Sequence, residues 1–182
     1  MAVDLFYTKT AFELFSGDVI KFARKRLTET DKNVSRNLYD SLKYNLKVSP
    51  NSFQLDISML YYGTFQDKGV SGTHLKRPGT TYTYRQSSAV LGLEYNQGVF
   101  QAWLRARKIR FRDAQGRFLT YKQSGFILAV HIKKKGFKGT QFFTKSFEQT
   151  FKRLPSYIDQ KFKLDLDKFL AYSSRHILST KF

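Results

Sequence analysis

Between positions 11 and 27 the apolar residues recur in steps of three and four. Phe12, Phe15, Val19, Phe22, Ala23 and Leu27 fall on one stripe, which predicts an amphipathic helix. Thr10 stands at its N-cap position with Glu13 three residues on, the spacing of a capping box. Lys21, Arg24, Lys25 and Arg26 gather toward its other end, where the helix dipole favours cations. Residues 35–42, SRNLYDSL, read as a short helical turn. From Leu42 the period changes to two: Leu42, Tyr44, Leu46 and Val48 alternate with Lys43, Asn45 and Lys47. After the turn residues Ser49, Pro50, Asn51 and Ser52, a second alternation runs through Phe53, Leu55 and Ile57. The two runs predict a β-hairpin over about 42–58 with one buried face.

Residues 60–72, LYYGTFQDKGVSG, follow the hairpin. They place Tyr61, Tyr62 and Phe65 ahead of a turn-rich exit containing Gly69 and Gly72. We read this stretch as a structural joint. The aromatics anchor the end of the hairpin to the core, and the two glycines launch a long loop at about 73–97. That loop is polar, and residues 81–84 within it also suit an extended hairpin.

Helical spacing returns at residues 98–108, with Val99, Phe100, Trp103 and Leu104 on one face. Residues 109–122 read as a basic hairpin or loop that turns at residues 113–116. Residues 125–135 are apolar and then basic, as in a buried helix or a buried strand. The terminal lysines favour the helix, with Gly136 ending it. Phe143, Phe147, Phe151 and Leu154 predict another helix, and Pro155 suits the first turn of a further one. Residues 173–182 read as a frayed tail. The order of elements predicts an α+β fold: an N-terminal helix, a small antiparallel sheet packed by several helices, and long extended loops. At 182 residues, the chain reads as a single domain over 1–172 plus its tail.

Composition sharpens this picture through charge. Lys and Arg number 32 against 14 Asp and Glu, a net charge of +18, which favours an anionic partner. The 18 Phe, 11 Tyr and one Trp exclude a chain too poor in apolar groups to fold. Cysteine is absent, which excludes disulfides and thiol chemistry. The N-terminal stretch carries Asp4 and no basic run before an apolar core, so it makes a poor signal peptide. Residues 126–130, FILAV, fall far short of the roughly 18 needed to span a bilayer, and no membrane contact is expected.

No chemistry-bearing motif emerges. His74, His131 and His176 are scattered without a second ligand at metal spacing. Asp165 and Asp167, two apart on a helix, point away from each other. Neither a phosphate-binding glycine loop nor a nucleophile elbow is present. We expect no catalytic residues, no metal and no cofactor, and hence no enzyme. The strongest binding candidate is the basic-aromatic segment with Arg105, Arg107, Lys108, Arg110, Arg112 and Arg117. Interleaved arginine and aromatic residues grip phosphates and stack bases. The same alternation also describes a half-buried strand with a solvated basic face.

The landmarks come in a telling order. It runs from the amphipathic helix to NLYDSL at residues 37–42, the hairpin, YYGTFQDKG at 61–69, a long loop, the helix around Trp103, and GTQFFTKSFEQTF at 139–151. Together with the G-x-x-G-T-x-F-F run at 136–143, this order resembles the tail-completion or neck proteins of tailed bacteriophages. The resemblance covers most of residues 11–170. It implies a compact α+β domain closing into a ring at the head–tail junction of the virion, a hexamer or dodecamer. The implied partners are other copies of the chain, adjacent portal, connector, head-closure or tail proteins, and transiently viral DNA. It implies no catalytic residues, and it does not account for residues 73–89. The alternative reading is a nucleic-acid-binding module built on the segment 105–122.

Overall fold

The computed structural model describes residues 5–30, 35–49, 52–84 and 90–179. Pro50, Asn51 and residues 31–34 and 85–89, on which parts of the expected hairpin turn and of the long loop fall, lie outside them. The protein is α+β, as its periodicity predicts. In chain order its elements are α1 (Phe6–Glu29), α2 (Asn37–Ser41), β1 (Lys43–Ser49), β2 (Ser52–Ser58), α3 (Tyr62–Lys68), β3 (Gly69–Ser71), α4 (Val90–Ala106), α5 (Tyr121–Lys135), β4 (Gly136–Lys138), α6 (Phe142–Phe151) and α7 (Leu154–Ser179). They form two compact units. Residues 1–60 and 142–182 make one, and residues 61–141 make the other.

In the first unit, Ile20, Ala23 and Leu27 of α1 pack against Leu38, Leu42 and Phe142, flanked by Tyr39, Met59 and Phe143. Burying one such aliphatic side chain contributes about 1.5–3 kcal/mol. α1 starts earlier than its stripe suggests, and Thr10 is not its cap. Thr10 lies inside the helix, and its hydroxyl donates to the Phe6 carbonyl at 3.1 Å. The cap comes from α7. The Asp165 carboxylate accepts from the Tyr7 N–H (2.9 Å), the Thr8 N–H (2.7 Å) and the Thr8 hydroxyl (2.7 Å). Arg24 does not serve the end of α1 either. It donates to the carbonyls of Tyr39 and Leu42, and its guanidinium lies 4.9 Å from the Tyr39 ring centre.

β1 and β2 form the expected antiparallel hairpin, with Tyr44 opposite Ile57, Leu46 opposite Leu55 and Val48 opposite Phe53. Its apolar face is half-buried rather than buried. Phe53 stacks on Phe12 of α1 at 5.0 Å, while Tyr44 and Val48 stay exposed. α6 and α7 divide at residues 152–153, so Pro155 falls in the first turn of α7 as predicted. The expected tail is helical from 173 through Ser179; only 180–182 fall outside the described residues.

In the second unit, α4 and α5 pack on each other, and β3 pairs antiparallel with β4. α4 begins at Val90, so residues 90–97, expected in the loop, are helical. The 125–135 segment is a helix, and it starts at Tyr121 with a capping box between Thr120 and Gln123. The expected all-round burial is not met. Ser124, Gly125 and Ala129 are buried, but Phe126 and Ile127 face solvent. Residues 73–84 run alongside β3 and the end of α5. Thr73 and His74 donate to the carbonyls of Lys133 and Lys134, Ser71 donates to Tyr82, and Tyr84 donates back to Ser71. Thr83 forms a parallel bridge with Ser71 instead of a hairpin of its own.

Candidate functional site

The basic segment is built on a sharp exit from α4. Arg107 and Lys108 donate to the carbonyls of Trp103 and Arg105, and Ile109 reaches back to Leu104. This places Lys108 in left-handed backbone at φ 56°. The chain then forms a small loop, bridged at Arg112 and Phe118. Inside it the Asp113 carboxylate accepts from the backbone N–H groups of Gln115 (3.0 Å) and Arg117 (2.8 Å) and from the Arg117 guanidinium (2.9 Å). The Arg117 N–H is the main cause of an Asp113 pKa below the ordinary carboxylate range; desolvation opposes it, and the Arg117 guanidinium and the Gln115 N–H add to the lowering. Gly116, at φ 82°, supplies the backbone this turn requires.

Around this loop the arginines and aromatic rings interleave. The Arg105 guanidinium lies 5.7 Å from the Tyr121 ring centre, and Arg110 lies 5.6 Å from the same ring. Arg110 is also 5.3 Å from the Phe118 ring, and Arg112 is 4.1 Å from it. The result is a ladder of three cations and two rings in the order Arg105, Tyr121, Arg110, Phe118, Arg112. Arg107 sits 5.4 Å from Trp103 one turn away on α4. Each such contact contributes about 0.5–1 kcal/mol at an exposed site. Backbone carbonyls fix two of the cations further: Arg110 donates to Leu119 (2.9 Å) and Phe118 (3.4 Å), and Arg112 donates to Gly116 (3.1 Å).

Of the six cations singled out in the sequence, Arg105, Arg110 and Arg112 thus converge. Arg107 lies beside Trp103, Arg117 is taken up by Asp113, and Lys108 occupies the reversal. Tyr121 is the member the sequence reading missed. Its only signal was its place right after the capping Thr120, where the helix start aims its ring at the arginines.

The 60–72 stretch is organised differently from the joint expected. Tyr61 is 78% exposed and Tyr62 46%, so neither anchors through burial. Phe65 is half-buried, with Tyr61 at 5.0 Å and Tyr82 at 4.7 Å, both edge-on. What this stretch buries is Gly63, Asp67, Gly69, Val70, Ser71 and Gly72. Gly69 and Gly72 meet Gly139 and Gly136 across β3 and β4. A Cβ on Gly69 would stand 2.7 Å from the Phe137 carbonyl oxygen, and one on Gly136 would stand 2.6 Å from the Gly72 nitrogen. The identical G-x-x-G spacing at 69–72 and 136–139 was the available signal for this pairing.

Two further features belong to the first unit. A basic cleft is lined by Lys21, Arg24, Lys25, Lys43 and Tyr44. An open apolar groove is lined by Phe12, Phe15, Leu55, Ile57, Phe147 and Phe151. Among the described residues no three His, Asp or Glu side chains gather as metal ligands would, and no helix is long and apolar enough to cross a membrane. No protein-family model matches the chain, and neither a curated protein nor a solved structure matches it.

Proposed function

We propose that this chain is a structural protein of the head–tail junction of a tailed bacteriophage, of the neck or tail-completion type. Copies of it close into a ring and join connector and tail proteins around the DNA channel. The observation that carries this reading is the pairing of β3 with β4. It joins the two segments on which the resemblance rests, YYGTFQDKG and G-x-x-G-T-x-F-F, although more than sixty residues separate them. Thr140 and Gln141 of the second donate to the Gln66 and Asp67 carbonyls of the first, both at 2.9 Å.

Uncovered apolar surface supports the ring. On α7, Phe162, Leu166, Phe169 and Leu170 recur at helical spacing and are 39–56% exposed. The groove of the first unit adds the exposed ring of Phe151. Exposed apolar side chains grouped on one helix face are the kind of surface that protein interfaces cover, and aromatic residues are enriched at such interfaces. The reading is tested by native mass spectrometry of the purified chain and by the protein composition of purified particles. A closed oligomer of six or twelve copies, with the chain present in particles, is expected. A strict monomer that is missing from particles would sink the proposal.

A further inference from the structure

We infer that the ladder formed by Arg105, Tyr121, Arg110, Phe118 and Arg112 is a contact surface for the phosphate backbone of a nucleic acid, read without regard to base sequence. The inference does not depend on ring assembly. Three guanidiniums stand in a row with two rings between them, and none of the three has an ion-pair partner among the described residues. The nearby carboxylate, Asp113, is already engaged by Arg117. Phe118 is 55% exposed, so the ladder borders solvent.

Such a row of uncompensated like charges costs free energy in the isolated protein, which a polyanion relieves. The stacking and the carbonyl contacts hold the planar forks in place in advance. Less side-chain entropy is then lost on binding. A duplex or single strand presents phosphates in series, and each can accept from a guanidinium fork. Because guanidiniums lie over both rings, the surface favours backbone contact over base stacking.

The basic cleft with Lys21, Lys25 and Lys43 is the competing site within the chain. An acidic protein face is the competing partner. Both are separated from the inference by fluorescence anisotropy of the full chain with a labelled duplex, a labelled single strand of mixed sequence and labelled polyglutamate, each titrated with NaCl. The variant Arg105→Gln/Arg110→Gln/Arg112→Gln is expected to lose about tenfold or more in nucleic-acid affinity. Its slope of log affinity against log salt is expected to shrink by about 2 to 3, near 0.9 per phosphate contact. Lys21→Gln/Lys25→Gln/Lys43→Gln, with equal loss of charge, is expected to keep the slope nearly unchanged, and polyglutamate is expected to bind more weakly than either nucleic acid.

Equal losses in the two triple variants, no nucleic-acid binding at low salt, or polyglutamate binding as tightly as DNA would each overturn the inference. Arg110→Lys/Arg112→Lys keeps the charge but not the fork. Undiminished binding by that variant removes the ladder from the account. Circular dichroism establishes that each variant is folded. If the arginine triple variant is not, Arg105→Gln alone carries the test, since the Arg105 side chain, unlike those of Arg110 and Arg112, donates to none of the loop's carbonyls. Its expected change in slope is about 0.9, and no change counts against the inference.

Discussion

Asp165 is the residue whose role is furthest from any local rule. A helix start leaves N–H groups without intrahelical partners, and a nearby carboxylate both accepts from them and complements the helix dipole. In α1 no neighbouring side chain among the described residues does this, and a carboxylate 157 residues later in the chain does. We expect Asp165→Ala to destabilise the protein by about 1–3 kcal/mol, because two N–H groups and a hydroxyl lose their acceptor in a buried place. Chemical denaturation of the purified variant measures it. A loss within experimental error would mean that water or another group caps α1 equally well. Nothing in the sequence pointed to this contact. Thr10 and Glu13 offered a local capping box, but a cap supplied by tertiary packing lets the helix begin a turn earlier. The arginine ladder was legible only in part for a similar reason. Its cations stood out by density, whereas their convergence depends on where the loop and the start of α5 bring Phe118 and Tyr121.

At the scale of elements, the long periodic segments were readable, as was the short helix α2 within residues 35–42, while the other short elements were not. The α1 stripe, the hairpin alternation and the break before Pro155 each repeat often enough to define a period. α3 and the strands β3 and β4 do not: three residues show no alternation, and YYGTFQDK reads equally well as a turn. What positions β3 against β4 is the absence of side chains at four glycines, a steric condition that periodicity does not carry. Two alanine substitutions set this apart from a general dislike of changing glycine. Gly136 has φ 63°, and a Cβ there would overlap the backbone of β3, so Gly136→Ala should cost about 3 kcal/mol or more and lower the melting temperature. Gly17 lies mid-helix in α1 with nothing within 4 Å of an added Cβ, so Gly17→Ala should stabilise by about 0.5–1 kcal/mol. Thermal melts of the two variants moving in the same direction would contradict the steric account.

The whole molecule combines a net charge of +18 with extensive apolar surface. These act oppositely on self-association: charge drives copies apart, and the exposed faces of α7 and the groove draw them together. Screening decides the balance, since the distance over which charges act falls from about 10 Å at 0.1 M salt to about 3 Å at 1 M. Sedimentation velocity of the isolated chain should therefore show association strengthening as NaCl is raised. Association that weakens with salt would instead point to an interface held by ion pairs. Net charge and aromatic content were plain from composition, and they limit the kinds of partner without locating a surface. The division into two units was not legible, because the hydrophobic pattern runs through residues 60 and 142 without a composition shift.

The clasp between β3 and β4 has a consequence for how this protein can change over time. Everything from residue 73 to residue 135 leaves and returns through one closed gate, whose two sides are held together by backbone hydrogen bonds and by glycines that admit no spacer. Lengthening a chain segment whose ends are already pinned costs only about 0.6 kcal/mol per doubling. Between residues 84 and 133, away from the backbone bonds that residues 73–84 make to β3 and to the end of α5, the excursion can therefore grow, shrink or be exchanged for unrelated sequence while the framework of β3 and β4 keeps its own contacts. Lineages that carry this framework are free to differ most in the arginine-bearing part and least at the four glycines.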